Sequence, residues 1–288
     1  MKMPWRRLPS LRAPSFRFFR NAAFGLCAGV LFGFVGRAAE NPVLALVRAH
    51  AHNDYEHTRP LLDALEQGFC SIEADVWLVD GELRVAHDLK DALPRRTLEK
   101  LYLDPLSART KENGGRVFHG GPPVLLLVDV KSDATNTYRV LRSVLQRYQS
   151  MLTRFESNRT VTNAVSVVVS GNRTLEWMSR DRVRLAAYDG RLADLEEGNV
   201  SAHLIPLISD NWAMHFRWRG RAEDGALPAE ERVKLRDLVE RAHRQGRLMR
   251  WWGTADTRVV WQELFEAGVD LINTDDLTGL AGYLRSRR

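Results

Sequence analysis

Eight short apolar segments rich in β-branched residues recur between residues 43 and 275, and this recurrence constrains the fold more than any other feature of the chain. The segments are 43–50, 70–78, 124–131, 164–170, 183–189, 203–209, 247–253 and 269–275. Each has the length and composition of a buried strand. Eight such strands within roughly 245 residues match the size of a (β/α)8 barrel.

Segments with helical periodicity separate these strands. Apolar side chains at three- and four-residue spacing predict helices over 59–68, 137–155, 228–246 and 258–268. Three of these four segments end on a glycine, which is a typical signal for a helix C-terminus. A doubly wound sheet is the alternative, but no glycine-rich phosphate loop follows the first strand. The sequence therefore predicts an α/β fold, a (β/α)8 TIM barrel formed by residues 40–288 as one domain.

Residues 1–39 differ from the rest of the chain. Their first half contains Lys2 and five arginines without an acidic residue, and an apolar run of about 14 residues that ends in small residues follows. This pattern predicts a signal peptide and export to the periplasm or the medium. An uncleaved membrane anchor is the alternative, although the apolar run is short for a membrane span.

The basic character of the chain is concentrated in this N-terminal segment. Seven of the 42 Lys and Arg residues lie within residues 1–38, which leaves 35 basic and 36 acidic side chains in the remainder. A domain with a net charge near −1 lacks the excess of positive charge that nucleic-acid binding normally requires. We therefore expect no nucleic-acid partner, while the oligomeric state is open.

Carboxylates lie on two consecutive strands of the predicted barrel. Glu73 and Asp75 are two residues apart and point to the same side of their strand, and Asp129 lies near the end of the next one. Buried carboxylates that lie side by side repel each other and need a cation to neutralise them. Three carboxylates form an oxygen site suited to one divalent cation, Mg²⁺ or Ca²⁺.

A lysine and two histidines lie beside these carboxylates in the predicted topology. Lys131 is two residues from Asp129 and would place a positive charge where an anionic substrate meets the metal. His52 and His87 lie at the mouths of adjacent segments. Because imidazole titrates near neutral pH, two such side chains can serve as general base and general acid.

The order of these residues is recognisable. His52-Asn53, Glu73-x-Asp75, Asp80-Gly81, His87-Asp88 and Asp129-x-Lys131 together resemble the superfamily of glycerophosphodiester phosphodiesterases and phosphatidylinositol-specific phospholipase C-like enzymes. The resemblance is strongest to the altered-inheritance-of-mitochondria protein six family and its bacterial relatives. It runs from about residue 48 to the C-terminus and includes the segments 96–106, 250–256 and 268–276.

The resemblance implies a metal-dependent phosphoric diester hydrolase with a TIM-barrel fold. It implies that the substrate is a glycerophosphodiester or a phospholipid head group, and contact with a membrane surface is compatible with such a substrate. The implied acid–base pair is His52 and His87. The implied metal ligands are Glu73, Asp75 and Asp129, and the implied substrate-binding residues are Asn53, Lys131 and Trp252.

Two positions depart from the glycerophosphodiesterase pattern. Asn53 stands where those enzymes usually have arginine, and Asp129 stands where they usually have glutamate. The shorter carboxylate resembles the sphingomyelinase D branch of the superfamily. The phosphodiester class of the substrate is therefore better defined than the substrate itself.

Two other functions and the nature of one loop are open at this level. His50-x-His52 has the spacing of the first-strand metal pair of an amidohydrolase barrel, which His203 and Asp275 could complete. A catalytically inactive barrel that binds phosphorylated head groups is the second alternative. The loop 211–225, which contains two tryptophans, is either a lid over the pocket or an ordinary connection after the sixth strand.

Overall fold

The computed structural model describes residues 43–197 and 200–288 of the chain. The predicted signal peptide or anchor at residues 1–39 lies outside the described residues. Within the described ranges, no helix is both long enough and apolar enough to cross a membrane.

Eight parallel strands form a closed barrel, which confirms the predicted fold class. In chain order they are β1 (Leu46–Ala51), β2 (Phe69–Val79), β3 (Val124–Val130), β4 (Val165–Gly171), β5 (Ala186–Gly190), β6 (Leu207–Asn211), β7 (Leu248–Trp252) and β8 (Leu271–Thr274). Each strand pairs with the next one in the chain, and β8 pairs with β1. All eight segments that the apolar pattern predicted thus contribute a barrel strand.

Helices connect the strands and cover the barrel. They are α1 (Leu62–Glu66), α2 (Asp104–Glu112), α3 (Ala134–Gln146), α4 (Leu175–Arg180), α5 (Leu192–Glu197), α6 (Trp212–His215), α7 (Ala229–Arg244), α8 (Arg258–Glu266) and α9 (Leu277–Arg285). Within the described ranges, the other helical segments are three short 3₁₀ segments and one π-helical segment: Asp54–Glu56, Leu89–Asp91, Ala222–Asp224 and Glu99–Leu103.

The predicted helix over 137–155 is wrong in its second half, because α3 ends at Gln146. The backbone N–H of Thr153 donates to the carbonyl of Val165 at 2.7 Å instead of to the preceding helical turn. Arg154–Glu156 is then a strand, in a small antiparallel sheet with Thr160–Val161 and Val183–Arg184. Pairing with a distant segment therefore outweighs the local helical periodicity.

A hairpin extends β2 beyond the barrel. The strand Glu82–Val85 pairs antiparallel with the end of β2, and the turn between them consists of Asp80 and Gly81 with φ angles of 52° and 79°. Two consecutive positive φ angles are typical of the tight turn that joins twisted antiparallel strands, and Asp-Gly is a preferred pair for it. Asp80-Gly81 is therefore the turn of a β-hairpin.

Apolar side chains fill the space between the barrel and the helices, whereas the interior of the barrel is polar near the carboxyl ends of its strands. Buried polar residues from seven strands lie there: His50, Ser71, Glu73, Asp75, Ser170, Asp189, Ser209, Arg250 and Asn273. The register sets Asp75 opposite Asp129 and Asp129 opposite Ser170. Strand pairing therefore gathers these side chains at one end of the barrel.

Gly68 lies directly before β2 and provides a test of the packing at the amino ends of the barrel strands. Its φ is +86°, and a Cβ atom there would lie 2.1 Å from the carbonyl oxygen of Leu44. We expect Gly68→Ala to lower the free energy of unfolding by about 2 kcal/mol or more, because backbone strain and atomic overlap add. Chemical denaturation measures this change.

Gly81→Ala is the matched control for this substitution. Gly81 has a similar φ of +79°, but a Cβ atom there would meet nothing within 4 Å. We expect this variant to lose only about 1 kcal/mol from the backbone conformation alone. Equal losses in both variants would contradict the role assigned to the contact with Leu44.

Candidate functional site

A cavity of about 480 Å³ opens at the carboxyl ends of the barrel strands, where TIM-barrel enzymes have their active sites. Seven of the eight predicted site residues line it: His52, Asn53, Glu73, His87, Asp129, Lys131 and Trp252. The eighth, Asp75, is buried next to it. The structure thus brings together side chains from five different strands and loops, while their roles stay predictions.

The three predicted metal ligands form one cluster. Glu73, Asp75 and Asp129 each offer a carboxylate oxygen, and these three oxygens lie within 4.8 Å of one another. The Lys131 ammonium lies 3.0 Å from Asp75 Oδ2 and 3.4 Å from Asp129 Oδ1. The hydroxyl of Tyr55 donates to Asp75 Oδ2 at 2.7 Å. The cluster is therefore held by a cation on one side and a buried hydroxyl on another.

Glu73 is anchored through one of its two oxygens. Glu73 Oε2 lies 2.5 Å from Arg250 Nη2 and 3.0 Å from His50 Nε2. Burial would raise the pKa of Glu73, but the charge of Arg250 and the contacts with His50 hold it well below its ordinary value. Glu73 is therefore an anion whose orientation its two partners determine.

His50 supports Glu73 and does not face the cavity. Burial, followed by the charge of Arg250, lowers the pKa of His50 to about 3. The imidazole is therefore neutral at pH 7 and donates from Nε2 to Glu73, while Nδ1 accepts from Ser71 Oγ at 2.7 Å.

The carboxylate cluster fits an oxygen-preferring divalent cation. Asp75 Oδ1 and Asp129 Oδ1 are buried, and neither accepts a well-formed hydrogen bond from residues 43–197 and 200–288, although Lys131 Nζ lies 3.4 Å from Asp129 Oδ1. Burial and the charge of Glu73 raise the pKa of Asp75 to about 6 and also raise the pKa of Asp129. With Lys131 and Arg250, the three carboxylates carry a formal charge of −1. A divalent cation would satisfy both oxygens and reverse that charge.

His52 is oriented by a carboxylate that follows β8. Its Nδ1 lies 2.7 Å from Asp275 Oδ1, and the backbone N–H of Asp275 donates to Asp256 Oδ2 at 2.7 Å. Burial lowers the pKa of His52, but the hydrogen bond to Asp275 and the charge of Glu73 outweigh it, so that the pKa is raised. Because Nδ1–H donates to Asp275, Nε2 is the atom that can exchange a proton with a substrate.

His87 reaches the same cavity from the hairpin on β2. Its side chain is 60% exposed, and its Nδ1 lies 3.5 Å from Asp88 Oδ1. The backbone carbonyl of His87 accepts a hydrogen bond from Trp77 Nε1 at 3.2 Å. The structure therefore holds the backbone of His87 in place and leaves its imidazole open to the cavity.

Asn53 and Trp252 both line the cavity and differ in how the fold holds them. Asn53 has the left-handed φ of 47°, which asparagine tolerates better than most residues, and its side-chain amide lies 2.7 Å from the Tyr55 hydroxyl. Trp252 is half-buried and lines the cavity, whereas Trp251 is fully buried. Trp252 is therefore the tryptophan that a substrate can touch.

The loop 211–225 is not a lid of exposed aromatic side chains. Trp212 and Trp218 are 1% and 4% exposed. The rings of Trp212 and Phe216 pack edge-on against Trp251 at centroid distances of 5.7 and 5.1 Å. The aromatic residues of this loop therefore pack in the hydrophobic core and do not line the cavity.

Two arginines that line the cavity were not predicted from the sequence as site residues. Arg250 contacts Glu73, and Arg191 contacts the buried Asp189, with 2.9 Å between Arg191 Nη1 and Asp189 Oδ2. The hydroxyl of Ser209 also donates to Asp189. A signal was present for Arg250, because a charged residue between Met249 and Trp251 interrupts an apolar strand.

The amidohydrolase alternative is wrong for the described part of the chain. His203, its proposed ligand, precedes β6 and lies 3.0 Å from Thr160 Oγ1, which precedes β4. That position is at the amino ends of the strands, opposite to His52. His50 contacts Ser71 and Glu73 instead of pairing with His52 around a metal.

Replacing Asp275 tests the raised pKa of His52. In Asp275→Asn, we expect the pKa of His52 to fall, because the carboxylate that favours imidazolium is gone. A histidine whose pKa is higher in the folded state than in the unfolded state stabilises the fold at pH values below its unfolded-state pKa. This stabilisation is lost as the pH rises through the folded-state pKa. The variant should therefore lose more stability at acidic than at alkaline pH. NMR titration of the imidazole and unfolding at several pH values measure both effects.

Asp88→Asn is the control, because Asp88 contacts His87 and has no contact with His52. It should leave the titration of His52 unchanged. An unchanged His52 pKa in Asp275→Asn would show that the 2.7 Å contact does not determine the protonation of this histidine.

Comparison with known proteins identifies relatives along most of the chain. The AIM6-like phosphodiesterase domain matches residues 41–189. Altered inheritance of mitochondria protein 6 from Eremothecium gossypii is 30% identical over 278 residues, which cover 84% of this chain and 70% of that protein. The homolog from Arthroderma benhamiae is 27% identical over 264 residues, which cover 82% of this chain and 83% of that protein.

One similar solved structure is a glycerophosphodiester phosphodiesterase from Parabacteroides distasonis. It superimposes with a TM-score of 0.50 and 17% sequence identity, covering 85% of this chain and 97% of that chain. At this identity the similarity concerns the fold, which is the same kind of closed barrel.

Proposed function

This chain belongs to the AIM6-like phosphodiesterase family, and from that premise we propose that it hydrolyses phosphoric diesters of the glycerophosphodiester or phospholipid type with the help of a divalent cation. The observation that carries the proposal is that one cavity brings together two histidines, the carboxylate cluster and Lys131. The carboxylate cluster and Lys131 serve charge neutralisation, and the two histidines serve proton transfer.

Charge neutralisation is the first need, because negative charge builds on the phosphoryl oxygens in the transition state. Lys131 lies at the cavity wall and donates from an ammonium that the carboxylates keep protonated, since Asp129 and Asp75 outweigh burial and raise its pKa. A divalent cation held by Glu73, Asp75 and Asp129 would supply further positive charge to these oxygens. Lys131 thus binds the substrate and keeps its phosphate near the cluster.

Proton transfer is the second need. One histidine takes the proton from the attacking hydroxyl, and the other gives a proton to the leaving alcohol. His52 presents Nε2, since Asp275 engages Nδ1. His87 lies on the hairpin at the mouth. The attacking hydroxyl belongs either to water or to the substrate, and the second case yields a cyclic phosphate.

The walls of the cavity position the rest of the substrate. Trp252 and Trp77 offer apolar faces beside the polar floor, and Asn53 adds an amide near His52. We assign the leaving group to the side of Trp252, which the resemblance implies is a substrate-binding residue. The identity of the substrate then depends on which chemical groups fit against these side chains.

Removing either histidine tests the mechanism. We expect His52→Ala and His87→Ala each to lower kcat/KM about 10²- to 10⁴-fold, because each removes one proton transfer from the transition state. The measurement is turnover of a panel of glycerophosphodiesters, lysophospholipids and bis(p-nitrophenyl) phosphate by residues 40–288, with Mg²⁺, Ca²⁺ or EDTA. His119→Ala is the matched control, since His119 is exposed and does not line the cavity.

Two results would contradict the proposal. Full activity in EDTA or in His52→Ala would rule out the mechanism. Measurable binding of phosphorylated head groups without turnover of any diester by the metal-loaded protein would instead favour the inactive barrel.

Metal binding is testable without substrate. A ligand that binds only the folded state stabilises it by about 2.7 kcal/mol at one hundred times its Kd. We therefore expect Mg²⁺ or Ca²⁺ to raise the Tm by roughly 5 °C or more. In Asp129→Asn most of this increase should vanish, because one ligand oxygen and one charge are lost. Differential scanning calorimetry with and without EDTA measures it.

Asp88→Asn is the control here as well, since Asp88 is near the cavity mouth but outside the carboxylate cluster. It should retain the full metal-dependent increase in Tm. An equal increase in Asp129→Asn would place the metal elsewhere in the molecule.

A further inference from the structure

Arg250 combines deep burial with access to the cavity. Its side chain is 3% exposed, yet it is one of the residues that line the cavity. Two of its three nitrogens are engaged: Nε donates to Asn273 Oδ1 at 3.0 Å, and Nη2 contacts Asn273 Oδ1 at 2.7 Å and Glu73 Oε2 at 2.5 Å. A buried guanidinium is therefore fixed in one orientation by two partners.

The third nitrogen of Arg250 faces the cavity. Nη1 makes no hydrogen bond to any residue within 43–197 and 200–288, and it is not enclosed by protein atoms as a buried group without a partner would be. Its two N–H groups are thus open donors at the cavity floor. Because the guanidinium is planar, the anchors at Nε and Nη2 also determine the direction of Nη1.

The position of Arg250 complements that of Lys131. Arg250 lies on β7 and Lys131 directly follows β3, and these two strands are on opposite sides of an eight-stranded barrel. The carboxylate cluster lies between them. An anion above the cluster would therefore have a cationic donor on each side, and a guanidinium binds phosphate oxygens in a directional way.

We propose that Arg250 is a substrate-contacting residue whose Nη1 donates to a non-bridging oxygen of the phosphodiester, opposite Lys131. This inference rests on the proposed function and adds to it a second cationic contact with the scissile phosphate. The charges are consistent with a monoanionic diester. The cluster, Lys131 and Arg250 sum to −1, a divalent cation changes the sum to +1, and the diester brings it to zero.

The competing role for Arg250 is to neutralise the buried Glu73 alone. Arg250→Lys separates the two roles, because lysine keeps a positive charge next to Glu73 but has no second nitrogen to offer the substrate. The probe is diethyl phosphate, a monoanionic diester. Its binding is measured by ³¹P NMR titration with Mg²⁺ in excess and again in EDTA.

We expect Arg250→Lys to bind diethyl phosphate about 10- to 100-fold more weakly than the unmodified chain, because a charged hydrogen bond is lost. Turnover of bis(p-nitrophenyl) phosphate should fall at least as much in kcat/KM. The matched control is Arg247→Lys. Arg247 is also 3% exposed, but it precedes β7 at the other end and donates to the carbonyl of Val200 at 2.6 Å. This control should bind the probe normally.

A second variant covers the case in which Arg250→Lys does not fold. Asn273→Ala removes the oxygen that orients Arg250 but leaves the ion pair with Glu73 in place. It should weaken diethyl phosphate binding several-fold.

Normal binding of diethyl phosphate by a folded Arg250→Lys variant would overturn the inference and leave the proposed function intact. If Arg250→Lys does not fold, normal binding by Asn273→Ala would have the same meaning. If the unmodified chain neither binds the probe nor hydrolyses any diester, the proposed function fails and this inference fails with it.

Discussion

The ion pair between Glu73 and Arg250 is the interaction on which the site depends, because it joins β2 to β7 across the interior of the barrel. A carboxylate this deeply buried is tolerated only when its charge is compensated and its oxygens have donors. Arg250 supplies the charge, and the neutral His50 supplies a second donor to the same oxygen. With Oε2 engaged in this way, Oε1 is the oxygen that remains for the cavity. One buried pair thus sets the floor of the site and the orientation of a predicted ligand.

His50 and His52 are only two residues apart, but their surroundings shift their pKa values in opposite directions. His50 points into the barrel, where burial and the charge of Arg250 favour the neutral imidazole. His52 points to the mouth, where Asp275 favours the charged form. The pKa of the first is lowered to about 3, and that of the second is raised. His50 lies within β1 and His52 lies just beyond its end, so a single short segment provides a buried structural histidine and a candidate catalytic one at the cavity.

Much of the fold and part of the site could be predicted from the sequence, because both depend on local patterns. The eight apolar segments identified the barrel strands, and the spacing of Glu73 and Asp75 indicated that they share a face. The partners of these residues could not be predicted in the same way. Asp275 is 223 positions from His52, and Arg250 is 177 positions from Glu73, so only barrel closure brings them together. The early end of α3 has the same cause, since its continuation pairs with a segment that local periodicity does not reveal.

The hairpin on β2 determines how far His87 lies from the carboxylate cluster. β2 carries Glu73 and Asp75, and the strand paired with it leads directly to His87. The separation between the carboxylate cluster and this histidine is therefore set by a ladder of backbone hydrogen bonds instead of by a free loop. Since a slip of one residue in a ladder reverses every side chain on the strand, the hairpin allows His87 only discrete positions relative to the cluster. The imidazole of His87 can rotate, but the backbone that carries it is held by the hairpin against the barrel.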